Sequence, residues 1–301
     1  MIRTSLFLAA AILGVTTVHA DTDSYTQSVE QWRAGRVERL TAPHGWLSLI
    51  GLEWLKKGDN RVGSAPDNDI VLTAGPAHIG TVTMSGDGTL SIALAKDSGA
   101  AIDGKPVASA VLVDDAHVTG DAEPTTISVG SVSFYAIDRD GRKGLRVKDS
   151  DAPSRKHFVG IDSFPIDASW RIEANWVPAA PDETLEMGSV IGTIDKYPVP
   201  GRLEFSRDGK HFELLPVIEV PGDKQYFVVF ADRTSGKETY GAARFVYVDP
   251  PKDGKVTVDF NKAYNPPCAF TPFATCPLAP PENRLDMRVT AGEKKYAGGH
   301  H

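Results

Sequence analysis

Val132-Ser-Phe-Tyr-Ala-Ile-Asp-Arg-Asp-Gly141 decides the fold class. The run is short, rich in β-forming residues, and ends in an Asp-Gly pair. That pair is the signal of a two-residue type I′ hairpin, in which both central residues need positive φ. The same grammar continues outward on both sides. Upstream lie the strand-like runs Asp69–Leu72, Ile79–Met84 and Thr89–Leu94, with Asp-Gly at 87–88 and 103–104. Downstream lie Trp170–Trp176, Gln225–Phe230 and Arg244–Val248, with Asp-Gly at 208–209 and 253–254. No helical pattern of comparable length interrupts them. The chain therefore reads as all-β, with a β-sandwich over 45–150 and a second antiparallel β domain over 151–297. Residues 150–157 read as the linker, Ala179 to Leu185 as an exposed loop, and 298–301 as a frayed tail.

One helix is expected, over 21–44. Ser24-Tyr-Thr-Gln27 matches a capping box, and Tyr25, Val29, Trp32, Arg36/Val37 and Leu40 recur at helical spacing before Pro43 ends the segment. A lone amphipathic helix of this length is not stable in water and must dock on the β units after it. The apolar stretch Trp46–Leu55 fits strand or helix equally well.

Residues 1–20 read as an export signal. Arg3 is a short basic region, Leu6 to Val18 is mostly apolar, and Val18-His-Ala20 offers small residues at the −3 and −1 positions of a cleavage site. The apolar run is shorter than the roughly 20 residues that cross a bilayer. An exported protein, periplasmic or secreted and without a membrane span, is expected. Removing Arg3 takes the formal charge from −7 to −8, and no basic block is present, which argues against nucleic acid as a partner.

Asp259 to Leu285 holds both cysteines, six prolines between Pro266 and Pro281, and Asn261, Asn265 and Asn283. Proline fixes φ and removes a backbone donor, so this is neither helix nor interior strand. It reads as a rigid wall packed by Phe260, Tyr264, Phe270 and Phe273. Cys268 and Cys276 read as a structural disulfide worth roughly 2–3 kcal/mol, with a reactive thiol or metal pair as the alternative. Their spacing is not that of a zinc site. The asparagines either satisfy the loop's own backbone or form a pocket lip.

The densest polar cluster is Asp232 to Arg244. Arg244 fits an anion clamp, since a guanidinium matches carboxylate or phosphate bidentately; the plainer reading pairs it with Asp232 or Glu238. A small anionic ligand is expected in the C-terminal domain, contacted by Arg244, Tyr240, Asn261, Tyr264, Asn283 and Arg284. Glu238 and His44 are the acid–base candidates, although His44 in its Pro-His-Gly-Trp turn also suits a hydrogen bond at the domain junction. His78, His117, His157 and His211 occur singly, and no metal or cofactor is expected. The nucleophile elbow, Walker loop and His-Glu-x-x-His motifs are absent. Two rival classes stand beside ligand binding: a hydrolase or transferase acting on an envelope or imported metabolite, and a non-catalytic envelope module with a protein partner.

Two resemblances bear on the fold. Arg61-Val-Gly-Ser-Ala-Pro-Asp-Asn-Asp-Ile-Val-Leu72 and Gly99–Val107 resemble the forkhead-associated domain, which implies a β-sandwich. That family's phosphate-reading arginine falls at Ser64, and its serine-arginine pair near Ala77-His78 is missing, so the resemblance implies the fold and not phosphopeptide reading. The whole chain, through Pro43–Leu49, Gly51–Leu55, Thr239–Phe245 and Asp259–Leu285, resembles a bacterial family known only as a domain of unknown function. That resemblance implies no activity.

Overall fold

The computed structural model describes residues 16–120 and 122–298. Residues 1–15 of the predicted export signal, and 299–301 of the predicted tail, lie outside the described residues. The chain is built mainly of β-strands in sheets that are antiparallel but for one short parallel pair, with one long helix at the N-terminal end.

Helix α1 spans Thr16–Thr41. It starts earlier than the capping box predicted: Ser24 lies inside the helix, because neither Gly nor Pro interrupts residues 16–24. Its apolar face is the expected one, with Val29 and Leu40 fully buried. The turn after it depends on Gly45, where a Cβ would sit 2.5 Å from the Arg39 carbonyl oxygen and 2.6 Å from that of Leu40. Trp46–Ser48 then forms a 3-10 turn before the first strand, which settles the ambiguous apolar stretch.

The N-terminal unit contributes β1 (Leu49–Trp54), β2 (Gly58–Gly63), β3 (Ile70–Val71), β4 (Gly80–Met84) and β5 (Leu90–Leu94). It continues with β6 (Ala101–Ile102), β7 (Ser109–Leu112), β8 (Thr126–Val129), β9 (Val132–Arg139) and β10 (Arg142–Asp149). These form two five-stranded sheets, ordered β1-β10-β9-β8-β6 and β3-β2-β4-β5-β7. Val62, Val82 and Ile92 of one sheet pack against Ile127, Phe134 and Leu145 of the other, the alternating inner faces of a sandwich.

A short helix, α2 (Pro153–Lys156), occupies the predicted linker and ties back to the chain before it. Arg155 Nε donates to the Thr41 carbonyl at the end of α1 at 2.7 Å, and Ser154 Oγ to the Leu47 carbonyl at 2.7 Å.

The C-terminal unit contains β11 (Arg171–Pro178), β12 (Thr184–Gly188), β13 (Ile194–Pro198), β14 (Gly201–Arg207) and β15 (Lys210–Leu214), followed by β16 (Tyr226–Phe230), β17 (Arg244–Val248) and β18 (Lys255–Asp259). Strands β15-β14-β11-β18 form a four-stranded sheet, while β12-β13 and β16-β17 are two-stranded. The predicted exposed loop ends sooner than expected, because Thr184 and Leu185 open β12 and Leu185 is buried. Strand β16 is buried on both faces, which is why Tyr226–Phe230 reads as a continuous apolar run. Val228, Phe230, Val246 and Val248 face one core; Phe227, Val229 and Phe245 face another.

The Asp-Gly pairs at 103–104, 140–141, 208–209 and 253–254 have positive φ at both residues, as type I′ turns require. The pair at 87–88 does not: only Gly88 is left-handed, and Asp87 instead accepts from Ser85 and from the Thr89 N–H.

Candidate functional site

Strand β17 sorts its side chains by the period of two. Arg244, at its start, points into the core of the C-terminal unit and is 1% exposed. Its Nη1 donates to the Ala291 carbonyl at 2.5 Å, and its Nη2 to the Val289 carbonyl at 2.9 Å and to Asp232 Oδ1 at 3.5 Å. Asp232 in turn accepts from Thr234 Oγ1 and from the Val289 N–H at 2.6 Å. Burial lowers the Arg244 pKa to about 10, and Asp232 opposes the shift. The predicted anion clamp is therefore a sealed structural pair, and no ligand can reach it.

The asparagines are sealed too. Asn261, Asn265 and Asn283 are each 0% exposed. Asn283 mimics a strand rung: its Oδ1 accepts from the Leu215 N–H at 2.8 Å, and its Nδ2 donates to the Leu215 and Val229 carbonyls at 2.9 and 3.0 Å. Asn261 does the same with Asp167, accepting at 3.0 Å and donating at 2.8 Å, and also donates to the Tyr25 hydroxyl of α1 at 2.8 Å. Asn265 donates through Nδ2 to the Lys294 carbonyl at 2.7 Å. The partners are distant segments rather than the loop's own backbone. Irregular chain thus replaces missing ladder bonds with side-chain amides.

The other candidates scatter. The two oxygens of Glu238 face Arg288 at 2.8 and 3.1 Å on the surface. His44 is exposed; its carbonyl accepts from Lys148 Nζ at 2.8 Å. Tyr240 donates to the Cys268 carbonyl at 3.1 Å, and burial pushes its phenol up to about 12. Arg284 donates to the Ala279 carbonyl on an outer face. Glu238 and His44 line neither the cleft beside Tyr264 nor the cavity beside Cys276.

Tyr264 alone of the predicted set faces that cleft. Its backbone exchanges both hydrogen bonds with Phe245, at 2.8 and 2.9 Å, so the proline-rich segment is zipped onto β17. On that face Phe245 and Tyr247 point away from Arg244, and Tyr247 stacks on Tyr264 at 6.4 Å between centroids. Across from them lies α1, with Trp32 at 6.1 Å from Tyr264 and the Arg36 guanidinium 4.8 Å above the Tyr264 ring. The space between is a cavity of about 620 Å³.

Its walls are aromatic and its charges unevenly matched. The cations are Arg36, Arg39, Arg171 and Lys262; the carboxylates are Glu219, Asp249 and Asp259. Asp259 is taken by the Tyr25 hydroxyl and the Asn261 N–H, and Asp249 accepts from Gln225. Arg36 is held by buried Glu293 at 3.3 Å and by the Asn265 carbonyl at 2.8 Å. Arg39 and Arg171 make no ion pair among the described residues. Glu219 accepts from the Tyr247 hydroxyl; solvent reaches it through the cleft, yet surrounding protein raises its pKa, an effect the tyrosine bond opposes. Burial raises the Tyr247 and Tyr264 phenols well above their ordinary range.

Trp46, Glu219, Phe245 and Pro267 also line a second cavity of about 780 Å³, which extends toward the sandwich. Arg139 and Arg146 reach it from β9 and β10, converging on Thr275 Oγ1 at 3.1 and 3.2 Å. Cys276 is part of its wall and Cys268 is not. Both thiols are free and buried, and each sulfur accepts the other residue's backbone N–H at 3.3 Å. Asp114, His117 and Asp138 offer ligand atoms within 4.8 Å of one another. Lys143 Nζ, at 2.7 Å from Asp114 and 2.8 Å from Asp138, already supplies a cation there.

Sequence reasoning missed Trp32, Arg36, Arg39 and Arg171 because they lie far from Tyr264 in the chain. Tyr247 was within reach: alternation from Phe245 places it on the same face. Glu219 carried no signal at all.

Residues 156–294 match a family described as "Protein of unknown function (DUF1684)". The matched stretch includes Thr239–Phe245 and the proline-rich segment, whereas Pro43–Leu49 and Gly51–Leu55 fall outside it. No curated protein matches the chain. An uncharacterized protein of Haloarcula marismortui, solved by solution NMR, is 30% identical over 48% of this chain and 81% of its own, with a TM-score of 0.41. At that TM-score the likeness carries no argument about fold or function.

Proposed function

We propose that this is an exported protein that binds a small amphipathic anion in the cleft between α1 and the β16–β17 hairpin. The observation that carries the reading is the pairing of aromatic walls with two arginines outside any ion pair among the described residues, Arg39 and Arg171, in one cavity of about 620 Å³. Such a site suits a flat apolar body bearing a carboxylate or phosphate, because aromatic faces hold the body and guanidinium donors hold the charge. Export rests on the signal at residues 1–20, and the compartment it implies favours a bond between Cys268 and Cys276. A mature chain beginning at Asp21, read by mass spectrometry, is the expected outcome of cleavage.

The test is a thermal-shift panel of aromatic carboxylates and phosphate esters, each beside its neutral analogue. A ligand at 100 times its dissociation constant adds about 2.7 kcal/mol of stability. Anionic compounds should stabilise and their neutral analogues should not. Replacing both Arg39 and Arg171 by Ala should weaken binding at least about tenfold, as the loss of charge-assisted bonds implies. Equal response to the neutral analogues, or an unaffected double variant, would discard this site.

A further inference from the structure

The proline-rich wall ends in chemistry that anion binding does not use. Cys276 lines the second cavity and Cys268, equally buried, does not; the Tyr240 hydroxyl bonds the Cys268 carbonyl. The residue before Cys276, Thr275, accepts from Arg146 Nη2 at 3.2 Å. Arg146 is 4% exposed, and its Nε has no hydrogen-bond partner. Its nearest carboxylate, Asp115, stands 3.8 Å away and is already gripped by both terminal nitrogens of Arg139 at 2.8 and 2.6 Å. A buried guanidinium with so little neutralisation favours a negative group forming beside it.

We infer that Cys268 and Cys276 form an exchangeable disulfide, attacked by a thiolate at the cavity-lining Cys276, with Cys268 leaving as a thiolate. This rests on the reading that the two cysteines bond after export. Atoms and electrons balance. An incoming thiolate RS⁻ bonds to Cys276 Sγ as the Cys268–Cys276 bond breaks, and the bonding pair leaves on Cys268 Sγ. A second thiolate then attacks the R-bearing sulfur of the mixed disulfide and takes the RS group, giving RSSR and a Cys276 thiolate that gains a proton from water. The reverse direction, with a small disulfide as oxidant, closes the bond again. Direction follows from access, since Cys276 lines the cavity and Cys268 does not. Arg146 lowers the pKa of both thiols, so its charge favours a thiolate at either sulfur. The partner is a low-molecular-weight or peptide thiol able to enter the cleft.

The experiment uses the folded protein oxidised with glutathione disulfide, then exposed to excess reduced glutathione, acid-quenched and alkylated at intervals. Reduction of the native protein is expected, with the transient glutathione adduct mapping to Cys276 and the alkyl group to Cys268. Arg146→Gln should slow reduction by about tenfold, the effect of losing one cation beside a leaving thiolate. Circular dichroism checks that the variant folds; if it does not, the wild-type adduct position alone decides. An adduct on Cys268, or a disulfide that reduces only in denaturant, overturns the exchange proposal and leaves a structural bond. Thiols that stay reduced throughout the oxidation step overturn the disulfide itself.

Discussion

The two faces of β17 treat polar residues in opposite ways. On one, Arg244 is closed in by the Val289 and Ala291 carbonyls and by Asp232. On the other, Tyr247 is 38% exposed and opens into a cavity shared with Tyr264, Trp32 and Arg36. Both faces look equally promising as sequence, since each carries arginine or tyrosine next to glycines, prolines and asparagines. A dense polar motif therefore marks groups that cannot be exchanged freely. Whether a ligand or a buried charge imposes that constraint depends on what covers the face.

The contrast is tested most severely at Arg244. Replacing it with Met leaves Asp232 buried without its cation, and a loss of about 3–5 kcal/mol is expected in urea unfolding. Arg244→Lys should not rescue it, because one ammonium cannot span two carbonyls and a carboxylate in the same fixed fork. Near-wild-type stability in either variant would end the sealed reading. Asn283→Ala comes next, leaving the Leu215 N–H without its acceptor and two carbonyls without their donor. About 2–3 kcal/mol is expected, measured the same way.

The open face is probed by smaller effects. Gly45→Ala drives a Cβ against the last carbonyls of α1, for an expected cost of about 1–3 kcal/mol by overpacking. Because α1 is one wall of the cleft, the same variant should also weaken anion binding by calorimetry, which Asn283→Ala in its folded fraction should not. Last is Glu219. Its pKa lies above the ordinary carboxylate value of 4.5, so it is neutral below that raised value and anionic above it. Affinity for an anion should therefore fall as pH rises through the raised pKa, by about 1 kcal/mol for one like charge at close range. Glu219→Gln should flatten that profile, and a profile unchanged in the variant would place the ligand away from the junction of the two cavities.

Much of the architecture was legible because it is local. Hairpin turns are a two-residue matter, and four of the five Asp-Gly pairs adopt the backbone their composition favours. Asp87 departs because Ser85 and the Thr89 N–H offer its carboxylate an alternative turn. The site was legible only at Tyr264. Arg36, Trp32 and Tyr264 are brought together by helix docking, which fixes no sequence spacing between them. Asn261 shows the converse, since an amide beside prolines and aromatics has the composition of a pocket lip yet commits its donors and acceptor to Asp167 and Tyr25.

Local sequence was enough to establish the all-β class, the one long helix, the places of most strands, and the irregular course of the proline-rich segment. Each arises from periodicity, turn chemistry or the missing proline N–H, all of which act within a few residues. Long-range packing, and nothing shorter, selected which polar groups are sealed and which are open. Burial depends on what distant segments cover: residues 289–293 close over Arg244, while α1 stops short of Tyr247 and leaves a cleft. The same logic sets the cysteines apart, since of two equally buried residues only Cys276 lines the cavity.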